Sequence, residues 1–127
     1  MKHFSTAGNR SFFKPLHATS DCQAAMMTLK PGQSTTDEPE NEHPRSEQWL
    51  FVISGTGRAV VGKKRVSLKE GSLLLVGKDE AHQITNTGRT PMRTINFYAP
   101  PAYTSSGDVK VSAKRGSILS RVVSSLQ

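Results

Sequence analysis

The sequence predicts an all-β protein, an antiparallel sandwich or barrel. Two observations carry that expectation. About eight short apolar segments follow one another at close spacing, each pair separated by turn residues, and none shows the three- and four-residue apolar repeat of a helix.

In chain order, residues 1–9 read as an arm. Residues 10–16 are strand-like, but Pro15 confines them to a sheet edge. Residues 21–30 form a strand stopped by Pro31-Gly32, and residues 33–45 are polar and acidic, with Pro39 and Pro44 blocking regular structure. Residues 47–54 (EQWLFVIS) are the strongest strand. Gln48, Leu50 and Val52 share one face and Trp49, Phe51 and Ile53 the other, because strand side chains alternate. Both faces are too apolar for water. One therefore looks into the interior, and the other needs a cover: the N-terminal segment, a second sheet or another subunit. A homodimer is the expectation drawn from this. Ser54-Gly55-Thr56-Gly57 turns the chain into a hairpin partner at 58–61, and Gly62-Lys63-Lys64 turns it again into 65–68. Residues 72–76 read as a buried strand, residues 81–85 as the next, with His82 and Ile84 on one face, and residues 92–98 as the last before Pro100-Pro101. Beyond them Leu119, Val122, Val123 and Leu126 recur at helical spacing, which fits a short amphipathic helix. The expected organisation is an arm (1–9), a barrel domain (10–105) and a basic tail (106–127).

At 127 residues the chain has room for one domain with a real core. Its net charge of +7 lies mostly at the ends: residues 1–20 carry +3 and residues 108–127 another +3. No basic helix accompanies that charge and no aromatic residues interleave with it, so nucleic-acid binding is not expected. No apolar run reaches membrane-span length, and the first residues lack the apolar stretch of a secretion signal. The single cysteine, Cys22, excludes an internal disulfide. It points to a reducing cytoplasm and reads as a small buried apolar residue.

Two spaced constellations stand out. Gly71, His82 and Asn86 fit G-x5-P-x-G-x2-H-x3-N, with Gly77 in the proline place and Asp79 in the second glycine place. Counting back from Gly55 on G-x5-H-x-H-x4-E-x6-G puts Gln48 in the glutamate place, His43 in the second histidine place and Asn41 in the first. The upstream glycine is missing, Gly32 lying further back. With both motifs at their proper separation, residues 22–101 resemble the cupin superfamily, specifically its small single-domain bacterial members.

The resemblance implies a double-stranded β-helix, or jelly-roll barrel, holding a divalent transition metal (zinc, nickel, manganese or iron) through His43, Gln48 and His82, with Asn41 as a fourth ligand. It implies isomerase, lyase or dioxygenase chemistry on a small molecule. Without a carboxylate ligand the metal would keep its full charge, which favours a small polar or anionic substrate. Glu42 is a substitute ligand, and Arg58, Arg93, Asn96 and Tyr98 are candidates for the surroundings, alternation on the last strand admitting only one of its faces. Gln48 could instead be a structural amide, Asn41 a turn residue, and the whole protein a non-catalytic module that binds or senses a small ligand.

Overall fold

In the computed structural model of the protein, residues 1–114 are described. Eight strands make up nearly all of its regular structure: β1 (Phe13–Ala18), β2 (Gln23–Leu29), β3 (Glu47–Ser54), β4 (Gly57–Val61), β5 (Lys64–Leu68), β6 (Leu73–Val76), β7 (His82–Asn86) and β8 (Met92–Ala99). They form a five-stranded sheet in the order β1-β2-β8-β3-β6 and a three-stranded sheet in the order β5-β4-β7, every neighbour antiparallel. This is the jelly-roll barrel expected from the sequence. A register shift between Pro15 and His17 bends the edge strand β1, where a residue without an N–H is tolerated.

The alternation read from β3 decides which residues fill the space between the sheets. Leu50 and Val52 are fully buried, and with Met27, Leu29, Ala59, Leu68, Ile84 and Met92 they form the main core. The β3–β4 turn is held tightly against β8. Gly55 has φ of +89°, and a Cβ there would lie 2.8 Å from the backbone at Pro91 and Met92. A side chain at Gly57 would run into Met92 and the carbonyl of Thr85, so glycine at both positions is a packing requirement as much as a turn preference.

Two sequence expectations need correcting. Segment 72–76 is not a buried strand: β6 is the edge of the large sheet, and Leu73 and Leu75 are 61% and 44% exposed on its outer face. Cys22 lies just before β2 and is only half-buried.

Past β8 the chain turns back over the barrel. Ala102 and Tyr103 are buried, Tyr103 bridges to Val109, and a single 3-10 turn at Val111–Ala113 follows. Lys110 donates its N–H to the Ala102 carbonyl (2.7 Å), and Arg45 donates its own to Ala113 (3.3 Å). Packing against the barrel therefore continues past residue 105, to Ala113. The amphipathic helix expected around 119–126 lies outside the described residues.

Candidate functional site

Three elements deliver the candidate side chains to one end of the barrel. At the start of β7, His82 exchanges backbone hydrogen bonds with Glu40 (2.9 and 3.0 Å), which brings the chain to Glu42 and His43 just beyond. On β3 the inward phase begins at Gln48, and on β8 it takes in Met92, Thr94, Asn96 and Tyr98, all buried. His43, Gln48, His82 and Asn96 are each nearly or wholly sealed from solvent.

A directed hydrogen-bond chain orients them. Thr94 Oγ1 donates to the Met27 carbonyl (3.4 Å), Asn96 Nδ2 to Thr94 Oγ1 (3.0 Å), and Gln48 Nε2 to Asn96 Oδ1 (2.9 Å). That leaves Gln48 Oε1 facing His43 Nε2 at 2.9 Å. His43 Nδ1 lies 3.0 Å from the Ser46 carbonyl, and His82 Nδ1 lies 3.1 Å from the Glu80 carbonyl. A neutral imidazole has one N–H. With that proton donated from Nδ1 to the Glu80 carbonyl, His82 keeps a lone pair on Nε2, whereas the His43 ring has an acceptor beside each nitrogen, the Ser46 carbonyl at Nδ1 and Gln48 Oε1 at Nε2. The rings sit 4.9 Å apart, centroid to centroid.

These donors suit a divalent transition metal. His43 Nε2 and Gln48 Oε1 lie within hydrogen-bond distance, and a cation could take the place of the proton between them. Backbone carbonyls behind both rings are the usual support for histidine ligands. Among the described residues, no three of histidine, cysteine, aspartate and glutamate converge, so the third donor is the Gln48 amide.

Beside these residues opens a cavity of about 400 Å³. Phe13, Met27, Ile84, Tyr98, Tyr103 and Val109 give it apolar walls, and Glu42, Gln48 and His82 a polar end. Burial pulls the His82 imidazole down to about 4, the hydrogen bond to Glu80 opposing, so the ring is neutral at physiological pH. Burial also raises the Glu42 carboxyl above its ordinary 4.5, with Glu40 adding to the effect. Both tyrosine hydroxyls are raised, by burial first; Tyr103 and the Glu42 charge add to Tyr98's shift, and Glu42 to Tyr103's.

Of the sequence candidates, His43, Gln48, His82, Asn96, Tyr98 and Glu42 come together here. The two arginines do not. Arg93 alternates with the inward Met92 and Thr94, and its guanidinium donates to the carbonyls of Asn9 (3.2 Å) and Thr6 (2.6 Å), fastening residues 6–9 to the outside of the sheet. Arg58 lies out of phase with Gly57 and Ala59, so it sits on the outer face of β4, with its Nε buried and unpartnered. Asn41 does not line the cavity; its amide donates to the Lys78 carbonyl (2.6 Å). Sequence reasoning missed Phe13, Gln23, Thr94 and Tyr103. For Thr94 the signal was present, in its phase with Asn96; Tyr103 lies in a stretch without periodicity.

The family model of the cupin domain matches residues 25–98, and the chain belongs to that family. Among solved structures it is similar to BH2720 of Bacillus halodurans, with a TM-score of 0.72 and 26% identity over 80% of this chain and 79% of that one. A predicted oxalate decarboxylase from Thermotoga maritima shares the fold, with a TM-score of 0.55 and 24% identity over 65% and 69% of the two chains. In sequence the chain is 34% identical over 74 residues to the tetracenomycin polyketide synthase protein TcmJ of Streptomyces glaucescens, which is 58% of this chain and 48% of TcmJ. It is also 29% identical to the uncharacterized protein YrkC of Bacillus subtilis, over 76% of this chain and 54% of YrkC. The chain spans about half the length of these curated relatives. No helix among the described residues is long and apolar enough to cross a membrane.

Proposed function

We propose that the barrel binds a small organic molecule in the cavity, beside a divalent cation held by His43 Nε2, Gln48 Oε1 and His82 Nε2. The observation that carries this reading is the pair of imidazoles 4.9 Å apart, each tied through Nδ1 to a backbone carbonyl, with the Gln48 amide oxygen 2.9 Å from His43 Nε2. When bound, the cation supplies Lewis acidity toward an oxygen of the ligand. The protein's own groups do the rest. His82 stays neutral and keeps its lone pair, Phe13, Tyr98 and Tyr103 wall the cavity against water, and Glu42 presents a carboxyl to its interior. Relatives named for polyketide synthesis and, by prediction, for oxalate decarboxylation support an enzymatic reading, with isomerase, lyase and dioxygenase chemistry the classes to screen.

Elemental analysis of wild type and His82→Ala, purified without chelators or a histidine-rich tag, tests the proposal. About one transition metal per chain, lost in the variant, is the expected result. No metal in either, with none taken up when zinc, nickel, manganese or iron(II) is added, would sink the metal site. One observation favours a second reading in that event. Asn41, in the first-histidine place, does not line the cavity, which suits a metal-free module that binds or senses its ligand.

A further inference from the structure

The cavity described above has a charge pattern that the linear sequence hides. Two carboxylates line it, Glu42 from the loop before β3 and Asp108 from the segment folded back over the mouth, and among the described residues no lysine or arginine does. Its polar end is also rich in acceptors. Gln48 donates one N–H to Asn96 and its Oε1 lies against His43, while His82 Nδ1 faces the Glu80 carbonyl and leaves Nε2 toward the cavity. Glu42 adds carboxyl oxygens. An anion would meet two carboxylates with no cationic side chain among the described lining residues to offset them.

We propose that the ligand of this cavity is an uncharged, flat ring molecule bearing a hydroxyl, and that anions of the same shape are rejected. The inference rests on the reading of the cavity as a small-molecule site, and it replaces the anionic substrate expected from the sequence. That expectation took a dication held by neutral ligands to be uncompensated. Glu42 and Asp108 supply two negative charges at the same cavity, so a dication is balanced before any ligand enters. Without the cation the carboxylates stand alone and an anion fares worse.

The apolar walls set the shape. Phe13 and Tyr103 lie 4.5 Å apart between ring centroids, Tyr98 and Tyr103 4.9 Å, and Phe13 and Tyr98 6.3 Å. Such a cluster offers ring faces and edges for an aromatic body, with Met27 and Ile84 completing the lining. A hydroxyl on that body would donate to the Glu42 carboxylate.

Three probes share one ring system and differ in charge: 2-naphthol, 2-naphthoate and 2-naphthylmethylammonium. Their affinities are measured by calorimetry at pH 7.5, on chelator-stripped protein and on protein loaded with zinc. Naphthol is expected to bind about tenfold or more tighter than naphthoate in both states, and tighter than the ammonium in the zinc-loaded state, where the carboxylates are already balanced. Glu42→Gln should narrow the gap by improving naphthoate, and Asp108→Asn, an exposed position with little bearing on folding, should act in the same direction. Naphthoate binding as well as naphthol, or the ammonium binding tightest to the zinc-loaded protein, would overturn the neutral-ligand inference and leave the cavity as a site. Failure of all three probes in both states would overturn the small-molecule reading of the cavity as well.

Discussion

Gln23 shows how far one side chain reaches in this molecule. It opens β2 on the inward face, buried, and its carboxamide clamps the returning chain. Oε1 accepts the N–H groups of Ala102 (3.0 Å) and Tyr103 (2.9 Å), while Nε2 donates to the Tyr103 carbonyl (2.8 Å). Tyr103 forms part of the cavity wall, so Gln23 positions that wall without lining the cavity itself. Gln23→Ala leaves three backbone groups without partners and is expected to cost on the order of 2–4 kcal/mol in denaturant unfolding. It should also weaken binding of a ring-shaped probe more than it changes metal content. Equal losses of both would mean general unfolding. Gln48 poses a sharper choice, between metal ligand and structural amide. Gln48→Glu adds an anionic oxygen where Oε1 sits. As a ligand position it should raise metal affinity about tenfold or more in chelator competition, and Gln48→Leu should lower it. If neither variant moves the affinity, Gln48 is structural.

Among the elements, the outer face of the large sheet has the clearest unmet need. Trp49 pairs with Leu75 on one side and Phe97 on the other, and Phe51 pairs with Leu73 and Ile95, so five exposed large apolar residues adjoin across β6, β3 and β8. Burying such a surface is the expected reason for a homodimer, with the two copies laying this uncharged patch against each other. Trp49→Glu with Leu75→Lys should convert a dimer to a monomer in light scattering, leaving the fold intact by circular dichroism; a wild type already monomeric at tens of micromolar would rule the dimer out. The patch also shows what was legible in the sequence. Alternation and turn residues revealed every strand to within a few positions, and β3 to the residue, because period-two burial is a local signal. They put His82 on an inward face, but left open which face of β3 and of β8 looks inward, and with it the place of Gln48, Asn96 and Tyr98. They did not reveal that β6 is an edge strand, which depends on sheet order, a non-local property. Nor did they reveal Tyr103 in the cavity wall, since that depends on a clamp between residues some eighty positions apart. Arg58 and Arg93 failed as candidates for a plainer reason: each lies one residue out of phase with the interior.

For the molecule as a whole, placing a neutral histidine in a sealed site ties stability to pH. The unfolded chain takes up a proton on His82 near 6.5, whereas the folded protein resists until about 4. Above pH 6.5 both states are neutral there, and the group makes no difference. As pH falls from about 6.5 to about 4, the unfolded state binds the proton that the fold excludes, so stability declines; below about 4 this contribution levels off. A shift of this size corresponds to on the order of 3 kcal/mol. Glu42 works in the opposite direction. Its raised carboxyl holds a proton in the fold that the unfolded chain has already released, so it returns part of the loss as pH approaches 4.5. Denaturant unfolding of chelator-treated protein at pH 7.5, 6 and 5 should therefore show falling stability, and His82→Gln should flatten the profile, since it fills the site with a group that cannot titrate. Added zinc should stabilise wild type across this range, because His82 carries no proton in the fold above about pH 4 and none has to be displaced for the metal to bind. A wild-type profile that tracks His82→Gln across this range would show that His82 exchanges protons as freely in the fold as outside it, and the sealed imidazole on which the site depends would have to be abandoned.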